Sequence, residues 1–313
     1  MTTVLEVPPT VDDEGFESLL EQAAKRGPGR VLVDARHVRW ANPYGMIGLL
    51  ALGRSLHPAE GEPDAPRPIL QAPVSSEVNS YLGRMDFFRY ADEVYEVHGA
   101  PRSKPHAEAS NVLLEITPVR SHEDVHSVID HVEARAGTIL TEKLGYTPGA
   151  SMHFSMMLSE VCQNIIEHSG GEGWVGIQTY NWKKRLGRQV VVIAVMDLGV
   201  GFRGSLGKSQ ASRFGTGWDD TTALEQAFLH GVTRFRDPGR GQGLKQIRNR
   251  VQKWGGKVAI RSGTARIADV PEWDDDEAVT SGLAPFPGAQ ILIVLPATAA
   301  SGVGHGPTRR EAV

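Results

Sequence analysis

Near the middle of the chain, "SEVCQNIIEHSG" (159–170) sets Glu160, Asn164, Glu167 and His168 among aliphatic residues. At about 100° per residue, those four fall on one stripe of a helix. Leu158, Val161, Cys162, Ile165 and Ile166 fall on a second stripe centred about 130° away. One stripe can face a core while the other faces water or a ligand. Further on, "DLGVGF" (197–202) closes the apolar run 190–196 with an acidic residue followed by alternating glycines. Glycine after an acid at a strand end lets the backbone pass close to a flat ligand. A third stretch, "GRGQGL" (239–244), opens a helical pattern.

Two phosphate-binding signatures fail on inspection. "FRGSLGKS" (202–209) has Phe202 where a P-loop needs its first glycine, and it follows no strand-to-helix turn of the right spacing. "GRGQGL" has alternating glycines rather than G-x-G-x-x-G, and no strand directly precedes it. What remains is an order: a helix with E-x-x-x-N, a strand ending D-x-G-x-G, an intervening segment, then G-x-G-x-G-L at a helix start.

The elements that must position this set read as follows. "VLLEIT" (112–117) is a strand, 123–144 a long helix, and 149–169 a second helix carrying the polar stripe. "GWVGIQTYNW" and "RQVVVIAVMDLG" are strands joined by a turn, and 221–230 is a short helix. The helix 244–254 is closed by Gly255 and Gly256, and "KVAIRSG" and "AQILIVLP" finish the sheet. This grouping predicts a mixed sheet with helices on one face. Upstream, "RVLVDA" (30–35) is a buried strand and 44–56 a helix beginning just after Pro43. "RPILQAP" is a strand, and "SSEVNSYLGRMDFFRYA" a single helix with a serine cap. Strand and helix alternate there, an α/β pattern of about 100 residues. The predicted organisation is a first domain at 1–98, a linker at 99–110, a second domain at 111–298 and a disordered tail at 299–313. The Pro- and acid-rich stretch 57–69 is a loop within the first domain.

With these motifs in order, the chain resembles the GHKL (histidine kinase/gyrase/Hsp90-like) ATPase superfamily over about residues 112–297, and within it the anti-sigma-factor serine kinases most. "SEVCQNIIEHSG" matches their N box, "MDLGVGF" the G1 box, "GRGQGLKQIRNRVQKWGG…VAIRSG" the G2 box, and "PGAQILIVLP" their last strand. The resemblance implies a two-layer α/β sandwich that binds ATP and Mg²⁺. Asn164 would offer an amide oxygen to Mg²⁺, a hard cation that prefers oxygen donors. Glu160 would orient or deprotonate the attacking group, water or a protein hydroxyl. Asp197 would accept from the adenine amino group, with Gly199 and Gly201 leaving room for the ring. Gly239, Gly241 and Gly243 would belong to the phosphate loop that leads into the Leu244 helix, with backbone N–H groups of Gly241 and Gly243 on the phosphates. Residues 203–238 would form a lid. His168 is common at this place in the kinase-like members, and packing is an equal explanation for it. The family has Gly-Thr before its last strand. Here Gly288 is followed by Ala289, which predicts weaker nucleotide affinity or base selectivity.

"VLVDARHVRWANPYGMIGLLAL" (31–52) resembles the STAS domain of anti-sigma-factor antagonists in its strand, short loop and Gly-headed helix. Where that family has a phosphate-accepting serine, this chain has Tyr44, whose hydroxyl lies several ångströms further from the backbone. The expectation is a degenerate STAS-like domain that docks to the ATPase domain or a partner without storing phosphate.

Composition narrows the functional classes. The 313 residues carry a net charge of −4, with 40% hydrophobic and 22% charged residues. A basic surface for nucleic acid or anionic membrane is therefore not expected. No run approaches the ~20 apolar residues of a membrane span, and no signal-peptide pattern opens the chain, so a cytoplasmic location is expected. Cys162, the single cysteine, reads as a small hydrophobe. The leading expectation is an ATP-binding regulatory protein with kinase or slow ATPase chemistry and a protein partner, a STAS-type antagonist or sigma-factor-like regulator. A catalytically silent ATP switch is the alternative. A histidine kinase, using His122, His126 or His131 of "HEDVHSVIDHVE", ranks below both. Dimerisation through the first domain or through the helix after the linker stays open.

Overall fold

The protein is described by a computed structural model over residues 2–56, 66–101, 112–169, 172–182, 186–233 and 243–298. The expected linker beyond residue 101, most of the loop 57–69 and the tail 299–313 lie outside the described residues.

The amino-terminal part is built on a parallel sheet of β1 (Thr2–Glu6), β3 (Arg30–Asp34), β5 (Ile69–Gln71) and β6 (Glu96–His98), in that spatial order. A short parallel pair, β2 (Thr10–Val11) with β4 (Trp40–Ala41), lies beside it. Two helices start on side-chain caps: Asp12 accepts from the Gly15 amide at 3.0 Å to open α1 (Asp13–Ala24), and Asn42 accepts from the Gly45 amide at 2.9 Å to open α2 (Pro43–Ser55). The helix expected after Ser75 divides into α3 (Ser76–Arg84) and α4 (Phe87–Val94). The break falls at Asp86, held in the left-handed region at φ 58°. Periodicity runs through that break, so the sequence alone read one helix.

The remaining elements are β7 (Val112–Val119), α5 (His122–Thr138), α6 (Pro148–Asn164), β8 (Gly173–Trp182), β9 (Arg188–Asp197), α7 (Gly201–Phe214), α8 (Asp220–Phe228), α9 (Gly243–Lys253), β10 (Lys257–Asp269) and β11 (Val279–Pro296). Their sheet has the order β10-β11-β9-β8-β7, and each of the four pairings is antiparallel. The expected mixed sheet is corrected on this point. Strands β8 and β9 form a hairpin, β10 and β11 form another, and the helices between β9 and β10 return the chain to the outer edge of β11.

The helices that follow β7 keep to one face of this sheet, as expected, and the amino-terminal part covers the other. Along β9, Val191, Ile193 and Val195 join a core with Val125 and Val128 of α5, Phe154 and Leu158 of α6 and Val251 of α9. The alternate residues Val190, Val192, Ala194 and Met196 join the amino-terminal core with Phe16 and Ile47. Helices α1 and α2 thus cover the second face, against β11, β9 and β8. That explains why α2 is apolar all round and why Pro43 through Gly53 are buried. Phe16 stacks edge-on to Phe286 of β11 at 5.5 Å between ring centroids.

Because the two parts share one core, calorimetry should show a single unfolding transition. Phe16→Ala should destabilise that transition by about 3–5 kcal/mol. A variant that melts only an amino-terminal fraction of the heat would show that the shared face does not couple them.

Candidate functional site

In α6 the two stripes separate as their residue types require. Leu158, Val161, Cys162 and Ile165 are buried in the core, and Ile166 is half-buried beside it. Burial pushes the Cys162 thiol up to about 12, so it stays protonated and packs as a hydrophobe. Glu160, Asn164 and Glu167 line a cavity of about 910 Å³, its open mouth included. After Asn164 the helix widens into a π-type turn over Ile165–Ser169, a distortion that recurs at functional sites. The side chain of His168 lies outside the described residues.

The cavity joins four separate pieces of chain. Glu160 and Asn164 come from α6, Asp197 from the end of β9, Gly201 and Phe202 from the start of α7, and Gly243 and Leu244 from the start of α9. Ala289 and Ile291 of β11 complete one wall, and Leu206, Ala227 and Val232 give it apolar surface. Gly199 does not line the cavity but donates its amide to Asp197 Oδ1 at 2.8 Å. Gly239 and Gly241 lie outside the described residues. The P-loop-like stretch 202–209 is the interior of α7, as its lack of a strand-to-helix turn foretold.

Asp197 is 9% exposed, and burial raises its carboxyl to about 6 against the lowering effect of amide donors from Gly199 and Ala289. Two glycines make this close packing feasible. A Cβ on Gly288, at φ +77°, would fall 2.0 Å from the Asp197 carbonyl oxygen, and one on Gly201, at φ +62°, 2.5 Å from Ser262 Oγ. Ser262, which the sequence reading passed over, donates to the Gly288 carbonyl at 2.7 Å and accepts from the Phe202 amide at 3.1 Å. It fastens the start of α7 to the β10–β11 pair. Its one sequence signal is a hydroxyl directly before the glycine that ends "KVAIRSG".

Glu160 sits at the mouth, open to solvent, with its carboxylate against the start of α9. A Cβ on Gly243 would come within 2.4 Å of Glu160 Oε2. Burial of its inner side, and secondarily the charge of Glu167, raise its carboxyl above the usual range. Over the cavity, Leu206, Trp218, Ala223 and Ala227 form a small apolar cluster with Phe202, Phe214 and Leu244. Asp220 ties α8 to β10, accepting from the Thr264 amide at 2.9 Å and its hydroxyl at 2.8 Å. This is the described part of the segment expected as a lid.

Asn164 supplies a direct test of fit for a metal-bound polyphosphate. Among the described residues its Nδ2 is buried and has no hydrogen-bond partner. Which amide atom occupies that position follows from its surroundings, so the turned amide would aim an oxygen into the cavity. No group of three or more His, Cys, Asp or Glu residues able to hold a metal occurs among the described residues. Mg²⁺ takes one or two protein oxygens and completes its shell with water and phosphate, so a single amide oxygen would serve it.

Tyr44 lies elsewhere. It is 3% exposed in the first turn of α2, edge-on to Phe16, and burial raises its hydroxyl above the usual range. No described helix is long and apolar enough to cross a membrane.

Fold and cavity together define an α/β sandwich with a cavity at the end of β9, and comparison with known families adds to this. Residues 149–296 match the family of histidine kinase-, DNA gyrase B-, and HSP90-like ATPases. The chain therefore carries an ATP-binding domain of that kind, the GHKL type, over those residues. Among curated proteins none matches the chain.

The raised Asp197 has a sign that stability measurements can read. Its folded value lies above the unfolded one, so ionisation costs stability as pH rises from about 4 to 6, and the full cost stands above 6. Asp197→Asn should stabilise the nucleotide-free protein by roughly 2–3 kcal/mol at pH 7.5, with the gain vanishing near pH 4. Chemical denaturation at both pH values checks this.

Proposed function

We propose that the chain is an ATP-binding regulatory protein of the anti-sigma-factor kinase type. It transfers phosphate to a protein serine or threonine, or hydrolyses ATP slowly, with Mg²⁺. The observation that carries this reading is the meeting of Glu160, Asn164 with its unpartnered Nδ2, and the buried Asp197 around one cavity. In it, Asp197 accepts from the adenine amino group and Asn164 holds Mg²⁺ through its amide oxygen. Gly241 and Gly243 present N–H groups to the phosphates at the head of α9. Glu160, with its raised carboxyl, takes the proton of the attacking hydroxyl. Bound Mg²⁺ would neutralise charge on the phosphate oxygens.

The working units are 1–98, a degenerate STAS-like domain, and 111–298. Burial of Tyr44 supports reading the first as a docking domain rather than a phosphate store. The partner is then a STAS-type antagonist or sigma-factor-like protein. A histidine-kinase reading is weaker, because Val125, Val128 and Val132 anchor α5 in the core beside the cavity helices, as an integral part of this fold.

Labelled ATP incubated with candidate STAS-type partners should label them, and Glu160→Ala should slow labelling about 100-fold or more. ATP with Mg²⁺ at 100 times its dissociation constant should stabilise the protein by about 2.7 kcal/mol. Stabilisation without labelling or phosphate release above buffer would leave ATP as a switch ligand only. Ala289→Thr would place a hydroxyl beside Asp197 and should tighten ATP binding by about 1 kcal/mol, roughly five-fold in Kd by calorimetry. Unchanged affinity would remove Ala289 as the cause of weak binding.

A further inference from the structure

Behind the cavity, a buried polar chain runs from α1 to the main chain of Asp197. Arg261 of β10 is 1% exposed, on the face of the sheet that α1 covers. Its Nε donates to Glu17 Oε1, and its Nη2 to the Ala284 carbonyl and, at 3.4 Å, to Glu17 Oε2. Its Nη1 donates to the Gly263 carbonyl at 3.2 Å and to Gln290 Oε1 at 3.4 Å. All five guanidinium N–H groups are thereby used, with the ring of Phe286 5.8 Å away. Gln290, wholly buried, spends its amide hydrogens on the Pro287 carbonyl at 2.8 Å and the Asp197 carbonyl at 3.4 Å. Arg261, Gln290 and Met196 are register partners across three neighbouring strands, so the chain crosses the sheet by the shortest lateral path.

We propose that Glu17, Arg261 and Gln290 are positioning residues through which the amino-terminal part sets base recognition in the nucleotide site. This rests on the reading of Asp197 as the adenine partner. The Asp197 peptide has little freedom of its own, because Gly288 presses on its carbonyl with no room for a Cβ. Its orientation follows the hydrogen bond from Gln290, whose amide is in turn fixed by Arg261. Arg261 is a buried cation, and Glu17 of α1 is its anionic partner. Weakening that partner loosens Arg261, then Gln290, then the direction of the Asp197 carboxylate. The effect is specific to the adenine end, since Asn164 and the head of α9 are held by other elements.

The test uses the full chain, ATP, and the ATP analogue with hydrogen in place of the 6-amino group. Wild type should bind ATP more tightly than the analogue. Gln290→Met keeps the side-chain length but removes its hydrogen bonds, and should weaken ATP about ten-fold while leaving the analogue within two-fold. Glu17→Gln keeps an acceptor for Arg261 but removes the charge, and should weaken ATP about three-fold with the same selectivity. Equal weakening of both nucleotides would show a merely structural role and overturn the relay, as would wild-type ATP binding by both folded variants. If Glu17→Gln does not fold, Gln290→Met decides by the same criterion. A wild type that binds both nucleotides equally would remove Asp197 as the base partner and the relay with it. A wild type that prefers ATP, with variants that keep that preference, would remove the relay alone.

Discussion

Burial of β9 on both of its faces is the constraint on which the rest of the structure depends. Seven consecutive residues, 190–196, are apolar and almost without solvent contact. Each Val, Ile or Met side chain among them contributes on the order of 1.5–3 kcal/mol only if the face it points to is covered, so the run as a whole needs both. Helices α5 and α6 cover one face, and α1 and α2 cover the other. With both sides closed, a ligand can reach this strand only at its end. There the chain passes from Met196 to Asp197 and its glycines, beside the polar stripe of α6.

The same burial tunes the two carboxylates of the cavity differently. Asp197 sits deep, where desolvation lifts it to about 6 while two amides hold it in place. Glu160 sits at the mouth, lifted by partial burial and by Glu167, and stays accessible to an incoming group. Environments that separate two acids in this way suit the different tasks proposed for them, one fixed in recognition and one able to exchange a proton. Ser262 and Gly288 make the deep position attainable, one by hydrogen bonding and the other by having no side chain.

Coverage of the second face has a functional side. In a free-standing sandwich that face would meet solvent, and Arg261 would have no reason to be buried. Here α1 supplies Glu17 and Phe16 against Arg261 and Phe286, so charge and ring both find partners across the joint. The amino-terminal part is then structurally continuous with the floor of the cavity, one strand away from Asp197.

Local pattern alone specified the two stripes of α6, the β9 strand ending at Asp197 and the glycines that follow. These depend on helix and strand periods and on the steric freedom of glycine, which neighbouring residues carry. The 239–244 loop was legible as a motif, though only Gly243 and Leu244 fall among the described residues. Tertiary structure decided what pattern cannot encode. It made the sheet antiparallel, because strand direction depends on where the helices between β9 and β10 return the chain. It set α1 and α2 on the second face, since an apolar run does not name its partner. It buried Tyr44, paired Arg261 with a glutamate 244 residues away in sequence, and gave Ser262 its role in the site. Those outcomes arise from contacts between distant segments, whose energies exist only once the chain has closed on itself.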